Sequence, residues 1–257
     1  MNIRSTSIAA LMAVLLVGSV AGCSSSAAAP AADKAQGTLK VGIEGAYPPF
    51  NYYDKSNKLV GFDVDITTAL AKDMGVKVEY VATPWDSILG GLLANKYDII
   101  ISSMAITDER KAKVDFTEPY YHTGSQLFAP TNTSITDPAQ IKGKKIGVAI
   151  GTTFEEKARA LGADVVTYKS DLLAFEDVKN GRLDGLLTDG PVGGNAIKVG
   201  GYDMKPVGTP LIDAAAGIAV NKNHADLLKK LNAAITKIQA DGTYAKISTT
   251  WFGTDIR

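Results

Sequence analysis

The chain has only one cysteine and two histidines among its 257 residues, and these scarcities exclude several classes of protein. The single cysteine, Cys23, can form no internal disulfide. The two histidines, His122 and His224, lie in unlike sequence contexts, which supports neither a metal site nor a histidine-based catalytic triad. We therefore expect no metal and no cofactor.

An excess of charge of one sign is also lacking. Lysine and arginine number 27, aspartate and glutamate number 27, and the basic residues form no cluster. Nucleic-acid-binding proteins concentrate basic residues on one face, so we do not expect nucleic acid as a partner. After the N-terminus no apolar run approaches the roughly 20 residues that a membrane-spanning helix needs, which predicts that the chain is not embedded in a membrane.

The N-terminus has the pattern of an export signal. Arg4 is followed by a short apolar stretch at residues 8–17 and by Val20-Ala21-Gly22-Cys23, where small residues precede the cysteine as in a bacterial lipobox. We expect residues 1–22 to be a signal peptide and residues 23–37 to be a lipidated Cys23 with a flexible tether. This predicts an exported protein, periplasmic or at the cell surface, anchored to the membrane by lipid. The alternative is an ordinary secretory signal in which the cysteine is incidental.

After the tether, the hydrophobic pattern alternates between the periods of a strand and of a helix. Leu39, Val41 and Ile43 alternate with other residues and predict a strand, whereas Phe62, Ile66 and Leu70 share one helical face. The series continues with a strand, a helix and a strand at residues 76–80, 85–93 and 99–101, and a similar series returns between residues 146 and 188. Two βαβ series predict an α/β protein with two lobes.

The tail predicts how the two lobes are connected. Residues 217–220 have the pattern of a strand, and two helices follow at residues 225–240 and 244–251. If this tail packs on the first lobe, the chain crosses between the lobes twice, near residues 127–130 and 214–217. Two crossing strands form a hinge, and the cleft between the lobes becomes the expected ligand site. The predicted lobes are residues 38–128 with 217–257, and residues 129–216.

The most informative segment for chemistry is residues 98–110. An apolar strand ends there in Ser102 and Ser103, and Arg110 follows shortly afterwards. The carboxyl ends of strands are where open α/β sheets bind ligands, and a guanidinium offers a carboxylate two parallel donors. This predicts a site for a small carboxylate-bearing molecule. The alternative for Arg110 is a surface salt bridge with Asp108 or Glu109.

An ordered set of motifs resembles the polar amino-acid family of bacterial solute-binding proteins, the receptors of ABC importers. The motifs are EGAYPPF at residues 44–50, GFDVDI at 61–66, SSMAITDER at 102–110, FTEPYY at 116–121, GTT at 151–153, GRLD at 181–184, TD at 188–189 and DGTY at 241–244. The resemblance implies a two-lobed periplasmic-binding-protein fold of type II with two hinge strands. It also implies a monomeric receptor that is not an enzyme, binds a free L-amino acid and delivers it to an ABC transporter permease.

The resemblance also implies roles for residues that contact the amino-acid group of the ligand. Arg110 corresponds to the carboxylate-binding arginine, and Thr153 is expected to add a backbone N–H at a helix N-terminus. Asp189 corresponds to the ammonium-binding carboxylate. Plainer interpretations are a threonine N-cap at position 153 and a turn aspartate before Gly190.

Other positions are expected to line the pocket and contact the ligand side chain. Ser102 and Ser103 match lining hydroxyls, whereas Ala105 departs from relatives that carry a hydroxyl there and is expected to offer its backbone N–H. Tyr47 and Trp85 match two aromatic walls, although Trp85 alone fits a core residue equally well.

Glu44 is placed to meet the distal end of the ligand, unless it is simply a surface residue at a strand end. A carboxylate between aromatic faces favours arginine, lysine or ornithine, with glutamine or cystine as alternatives. The rival hypothesis is an enzyme on the same fold, resembling cyclohexadienyl dehydratase, in which Glu44 or Glu155 acts as a general acid.

Overall fold

The computed structural model describes residues 37–257, so the predicted signal peptide, Cys23 and nearly all of the tether lie outside the described residues. The strands are β1 (Thr38–Ile43), β2 (Ala46–Tyr47), β3 (Asn51–Tyr53), β4 (Leu59–Val60), β5 (Lys77–Ala82), β6 (Ile99–Ile100), β7 (Asp115–Phe116), β8 (Tyr121–Pro130), β9 (Lys145–Ala149), β10 (Asp164–Tyr168), β11 (Gly185–Asp189), β12 (Met204–Ala216) and β13 (Ala219–Val220). The helices are α1 (Phe62–Met74), α2 (Trp85–Leu93), α3 (Asp108–Lys113), α4 (Thr153–Ala160), α5 (Asp171–Lys179), α6 (Gly190–Lys198), α7 (Ala225–Ala240) and α8 (Thr243–Phe252), with a 3-10 turn at Pro138–Ile141.

The first five-stranded sheet has the order β5-β1-β6-β13-β7. Strand β1 lies parallel to β5 and β6, with Val41 opposite both Tyr80 and Ile99. Strand β13 comes from the tail and pairs antiparallel with β6 and β7. The tail of the chain thus returns to the first sheet, and α7 and α8 pack against α1.

The second five-stranded sheet has the order β10-β9-β11-β8-β12. Strand β9 lies parallel to β10 and β11, whereas β8 is antiparallel to β11 and β12. Together with the first sheet, this is the two-lobed α/β architecture expected from two βαβ series. The lobe boundaries themselves stay a prediction.

The apolar faces that the sequence pattern predicts are the faces that the fold buries. On α1, Phe62, Ile66 and Leu70 are all buried, and on α7 the buried residues include Leu231 and Ile235. Burial of about 25 cal/mol for each Å² of apolar surface makes such faces the main force that holds helices on a sheet.

The long strands β8 and β12 contain the two regions where the chain was expected to cross. They pair antiparallel from Tyr121 opposite Ala216 to Pro130 opposite Met204, with a register irregularity between Val207 and Ile212. The end of β12 also contacts the segment that follows β6 of the first sheet, because Ala105 forms an isolated antiparallel bridge with Ala216. The sequence pattern did not predict a strand over residues 204–213.

Two smaller features were also missed. Helix α6 begins directly after Asp189, where the Gly190-Pro191 pair had suggested a simple turn; proline is well accommodated in a first helical turn. Strands β2, β3 and β4 form a small antiparallel sheet beside the first one. Across residues 37–257, the helices are too short or too polar to cross a membrane.

Candidate functional site

A cavity lies between the carboxyl-end loops of the two large sheets. Its unfilled space is about 430 Å³, including the part that opens to solvent. Loops that follow β1, β5 and β6 of the first sheet and β9 and β10 of the second sheet contribute to its walls, as expected for ligand sites of open α/β sheets. The lining residues are Glu44, Tyr47, Trp85, Ser102, Ser103, Ala105, Arg110, Ala149, Thr152, Thr153, Phe154 and Asp171.

Arg110 is held in the cavity wall by backbone carbonyls. Its Nη1 donates to the carbonyl of Ala105 at 2.7 Å, and its Nη2 donates to the carbonyl of Gly151 at 3.2 Å. Its Cζ also lies 5.3 Å from the ring centroid of Trp85. A guanidinium has five N–H donors, so three remain for a ligand.

No salt bridge joins Arg110 to a carboxylate of the described residues, which argues against the surface-pair interpretation. Burial lowers the pKa of Arg110, and the charges of Glu156 and Glu109 oppose that shift. A partly buried guanidinium without a direct anionic partner is well suited to bind one from outside.

The start of α4 presents backbone donors near Arg110. Thr152, not Thr153, is the N-cap residue: its hydroxyl accepts from the backbone N–H of Glu155 at 3.2 Å and donates to the carbonyl of Ala149 at 2.6 Å. Thr153 is the first helical residue and lines the cavity. The free N–H groups and dipole of a helix N-terminus favour an anion at this position.

A buried hydrogen-bond network centred on Asp63 includes Ser103, which lines the cavity. Asp63 is fully buried and accepts from Tyr120 Oη at 2.7 Å, from Asn51 Nδ2 at 2.8 Å and from Ser103 Oγ at 3.1 Å. Ser103 has a positive φ of 54°, an uncommon conformation for a residue with a side chain. Asn51 in turn accepts from the backbone N–H of Gly45 at 2.8 Å. The network therefore holds both the Ser103 segment and the loop that follows Glu44.

Two carboxyl groups, Glu44 and Asp171, line the cavity together. Burial raises the pKa of Glu44 to about 8, with further contributions from the charges of Asp171 and Asp63. Burial also raises the pKa of Asp171 to about 6, against the opposing effect of its hydrogen bond from Thr188. The ionised forms of both acids are thus disfavoured in the cavity, and a positive group bound beside them would stabilise those forms.

Tyr47 and Trp85 both line the cavity, and their contact with a ligand side chain stays a prediction. Tyr47 stacks on Phe50 with ring centroids 5.7 Å apart, which places it on a packed aromatic cluster. Trp85 packs beside the buried residues Ile88 and Leu92 and lines the cavity at the same time. The core interpretation and the ligand interpretation of Trp85 are therefore compatible.

The structure brings together eight of the nine predicted ligand residues, and the exception is Asp189. Asp189 is buried, and its carboxylate accepts a hydrogen bond from Thr123 rather than lining the cavity. Burial raises its pKa to about 7, and the hydrogen bond from Thr123 opposes that shift. Its assignment to a ligand ammonium stays a prediction.

Asp171 is the functional candidate that the sequence analysis missed. It follows Ser170 at the start of α5, where an acidic residue is ordinary because the helix dipole favours it. Only the tertiary structure distinguishes it from other first-turn acids, by burying it against the cavity. Within residues 37–257 there is no group of three or more potential ligands that could hold a metal ion.

The sequence matches a known family along most of its length. The model of the bacterial extracellular solute-binding proteins, family 3, matches residues 39–254. The L-cystine-binding protein TcyJ of Escherichia coli (strain K12) is 38% identical over 255 residues, covering 96% of each chain. The L-arginine-binding protein of Pseudomonas aeruginosa is 41% identical over 242 residues, covering 88% of this chain and 91% of that protein.

Solved structures show the same likeness. An ancestral arginine-binding protein bound to arginine superposes with a TM-score of 0.80 at 40% identity, covering 85% of this chain and all of that one. The ancestral amino acid-binding protein AncCDT-1, described as a precursor of cyclohexadienyl dehydratase, superposes with a TM-score of 0.79 at 37% identity, covering 84% of this chain and 95% of that one.

Proposed function

The chain belongs to family 3 of the bacterial extracellular solute-binding proteins, and on this basis we propose that it is the receptor of an ABC importer for a polar amino acid. The ligand binds in the cavity between the two sheets, and closure of the lobes presents it to the permease. The observation that carries this proposal is the charge of the cavity lining, which combines one guanidinium, Arg110, with two carboxyls, Glu44 and Asp171.

The carboxylate of the ligand is assigned to Arg110 and to the N-terminus of α4. The guanidinium is held by two carbonyls and retains three donors, and Thr153 adds a backbone N–H from the helix start. Ser102, Ser103 and the backbone of Ala105 complete this side of the cavity. Asp189 remains our candidate for the ligand ammonium, and Asp189→Ala is the variant that tests it.

The charge of the cavity favours a basic ligand. Its lining has two carboxyls, Glu44 and Asp171, against one guanidinium, Arg110. When both carboxyls are ionised the lining carries one net negative charge, which a zwitterion with a cationic side chain balances. Tyr47 and Trp85 would flank the cationic chain, since aromatic faces attract cations. Arginine, lysine and ornithine are therefore the leading candidates, with glutamine and cystine behind them.

We also propose that a lipid at the N-terminus anchors the protein to the membrane. Residues 1–22 would be removed and Cys23 lipidated, so that the receptor stays on the outer face of the membrane as a monomer. Lobe 1 would comprise residues 38–128 and 217–257, and lobe 2 residues 129–216. Membrane fractionation of the full chain beside Cys23→Ser tests the anchor: the variant should be released, and retention of both to the same extent would contradict lipidation.

The function is tested by measuring binding to a panel of amino acids. Thermal denaturation with the twenty amino acids, ornithine and cystine should identify a ligand that binds the folded state. At one hundred times its Kd, such a ligand adds about 2.7 kcal/mol to the free energy of unfolding, which is about 5–10 °C in Tm for a chain of this size. Failure of every compound to raise Tm would contradict an amino-acid receptor.

Arg110→Ala tests the orientation of the ligand. Removing one partner of a buried charge pair costs about 2–5 kcal/mol, so calorimetry should show binding of every amino acid weakened by more than about thirtyfold. The matched control is Arg182→Ala, which removes an exposed arginine that pairs with Asp177. Micromolar binding retained by Arg110→Ala would contradict the site.

One observation favours a second candidate function, an enzyme. The raised pKa of Glu44 keeps its carboxyl largely protonated at neutral pH, as a general acid requires. AncCDT-1, which is 37% identical to this chain, is described as a precursor of cyclohexadienyl dehydratase. An assay for dehydration of prephenate or arogenate separates the two functions, and turnover that is lost in Glu44→Gln would favour the enzyme.

A further inference from the structure

Asp171 lines the cavity and has one carboxylate oxygen without a hydrogen-bond partner among the described residues. The side chain is 2% exposed, and one carboxylate oxygen, Oδ2, accepts a hydrogen bond from Thr188. The other oxygen, Oδ1, is buried and has no hydrogen-bond partner among the described residues. Leaving a buried carboxylate oxygen unpaired is energetically costly, so we expect this oxygen to gain a partner when a ligand occupies the cavity.

Asp171 and Glu44 both line the cavity. The charge of Asp171 is the largest electrostatic contribution to the raised pKa of Glu44 after burial itself. The pKa of Arg110 instead responds to Glu156 and Glu109. The charge of Asp171 thus acts on Glu44, and it also raises the pKa of Asp189. The α-ammonium of an amino acid is bonded to the same carbon as its carboxylate and must stay near Arg110.

We propose that Asp171 is a specificity-determining residue that, with Glu44, binds a second cationic group of the ligand. This inference rests on the proposed function, because it takes the Arg110 side of the cavity as the site of the ligand carboxylate. Oδ1 of Asp171 accepts a hydrogen bond from the distal guanidinium or ammonium, and Glu44 accepts another. A guanidinium suits two carboxylates best, since its donors point in several fixed directions.

A site with two acids selects ligands that carry a second positive charge. Arginine, lysine and ornithine carry a second cation on the side chain, and cystine carries one as a second α-ammonium. Glutamine and citrulline carry neutral groups of similar size, which can accept and donate hydrogen bonds but cannot neutralise two acids. The wild-type receptor should therefore prefer arginine to citrulline, its neutral urea analogue.

The test is calorimetry of Asp171→Asn with arginine, lysine, cystine, citrulline and glutamine. We expect ligands with a second cation to bind about tenfold or more weakly, because a charge-assisted hydrogen bond is replaced by a neutral one. Citrulline and glutamine should change by only a few-fold. Asp164→Asn is the matched control: it removes the same charge at an exposed position on β10 and should leave every affinity unchanged.

The outcomes separate this inference from the proposed function. A wild-type protein that binds no amino acid contradicts the function itself. A wild-type protein that binds arginine while Asp171→Asn weakens arginine and citrulline equally contradicts the inference, since Asp171 would then act on the shared α-ammonium or on folding. Tm of the ligand-free variant, compared with wild type, measures the folding contribution directly. If Asp171→Asn does not fold, Glu44→Gln with the same ligands takes its place, and equal loss for arginine and citrulline contradicts the paired site.

Discussion

At the scale of single residues, Glu44 links the chemistry of the cavity to pH. Its pKa of about 8 means that most molecules of the empty receptor carry a proton on this carboxyl at pH 7. A cation that binds there favours the ionised form and lowers the pKa, because an opposite charge stabilises the carboxylate. Binding of a basic amino acid is therefore expected to release a proton from the protein.

This gives a prediction for the pH dependence of binding. Between pH 6 and pH 8 the affinity for arginine should rise by about tenfold for each pH unit and then level off, since below its pKa Glu44 must first lose a proton. Calorimetry in buffers of different ionisation enthalpy measures both the affinity and the proton released. Glutamine should show a smaller slope than arginine in the same range, because it lacks the second cation and only Asp189, with a pKa of about 7, would face its ammonium. Glu44→Gln should reduce the slope for arginine, and the part that remains belongs to Asp189 and to Asp171, whose pKa is about 6. An arginine affinity that is flat from pH 6 to pH 8 would contradict this account.

The residues in and beside the cavity differ in how far the sequence alone could identify them. Arg110 and Ser102 follow an apolar strand, and the strand end itself predicts that they meet a ligand. Asp171 and Asp63 both look like ordinary first-turn acids, because position in a helix does not reveal what a side chain packs against. Their roles depend on distant partners, Thr188 for Asp171 and Tyr120 for Asp63, which only the folded chain brings near.

At the scale of elements, Asp63 joins four parts of the chain. Its carboxylate connects α1 to β3 through Asn51, to the segment after β6 through Ser103, and to Tyr120 just before β8. All three partners donate hydrogen bonds to it. An ionised carboxylate, which can only accept hydrogen bonds, therefore fits this position. An amide there would place an N–H group against a donor.

Asp63→Asn should accordingly destabilise the protein. We expect a loss of about 1–3 kcal/mol in the free energy of unfolding, measured by denaturant titration at pH 8, because at least one buried donor loses its acceptor. Ser103 should also lose its fixed position, which weakens amino-acid binding. Asp65→Asn is the control on the same helix: Asp65 is exposed, accepts from Trp251 at 2.7 Å and should cost less than about 0.5 kcal/mol. Equal losses in the two variants would contradict a special role for Asp63.

The elements that sequence predicts are those with a strong hydrophobic period. Strand β1 and helices α1 and α7 have clear alternation or a clear apolar face, and the fold buries those faces. Strand β12 contains Pro206, Gly208 and Pro210 and has no sustained alternation, so its pairing with β8 is set by tertiary contacts. Helix α6 has three glycines and a proline, which are poor helix formers, and it packs on the second sheet nevertheless.

At the scale of the whole molecule, the cavity depends on both sheets. Arg110 belongs to the first half of the chain, yet one of its two carbonyl partners, Gly151, follows β9 of the second sheet. A ligand that contacts Arg110, Thr153 and Asp171 together therefore favours an arrangement with the lobes close to each other. A ligand shifts such an equilibrium by its difference in affinity for the open and closed arrangements.

We therefore expect arginine to make the molecule more compact in solution. Small-angle X-ray scattering of the protein without residues 1–23 should give a smaller radius of gyration with saturating arginine than without it. Arg110→Ala, under the same conditions, should show no change, because the contact between ligand and lobes is lost. An identical radius of gyration for the wild type with and without a ligand that calorimetry shows to be bound would contradict closure.

The bridge between Ala105 and Ala216 has a consequence for how this receptor evolves. Ala105 lines the cavity and gives its carbonyl to Arg110, while its backbone pairs with the last residue of β12. Ile106 and Gly217 extend this pairing, since Ile106 N donates to the carbonyl of Ala215 and Gly217 N donates to the carbonyl of Met104. One short segment thus both lines the cavity and ties the end of β12 to the first sheet. We therefore expect a substitution there that changes the preferred ligand to change this pairing of β12 as well.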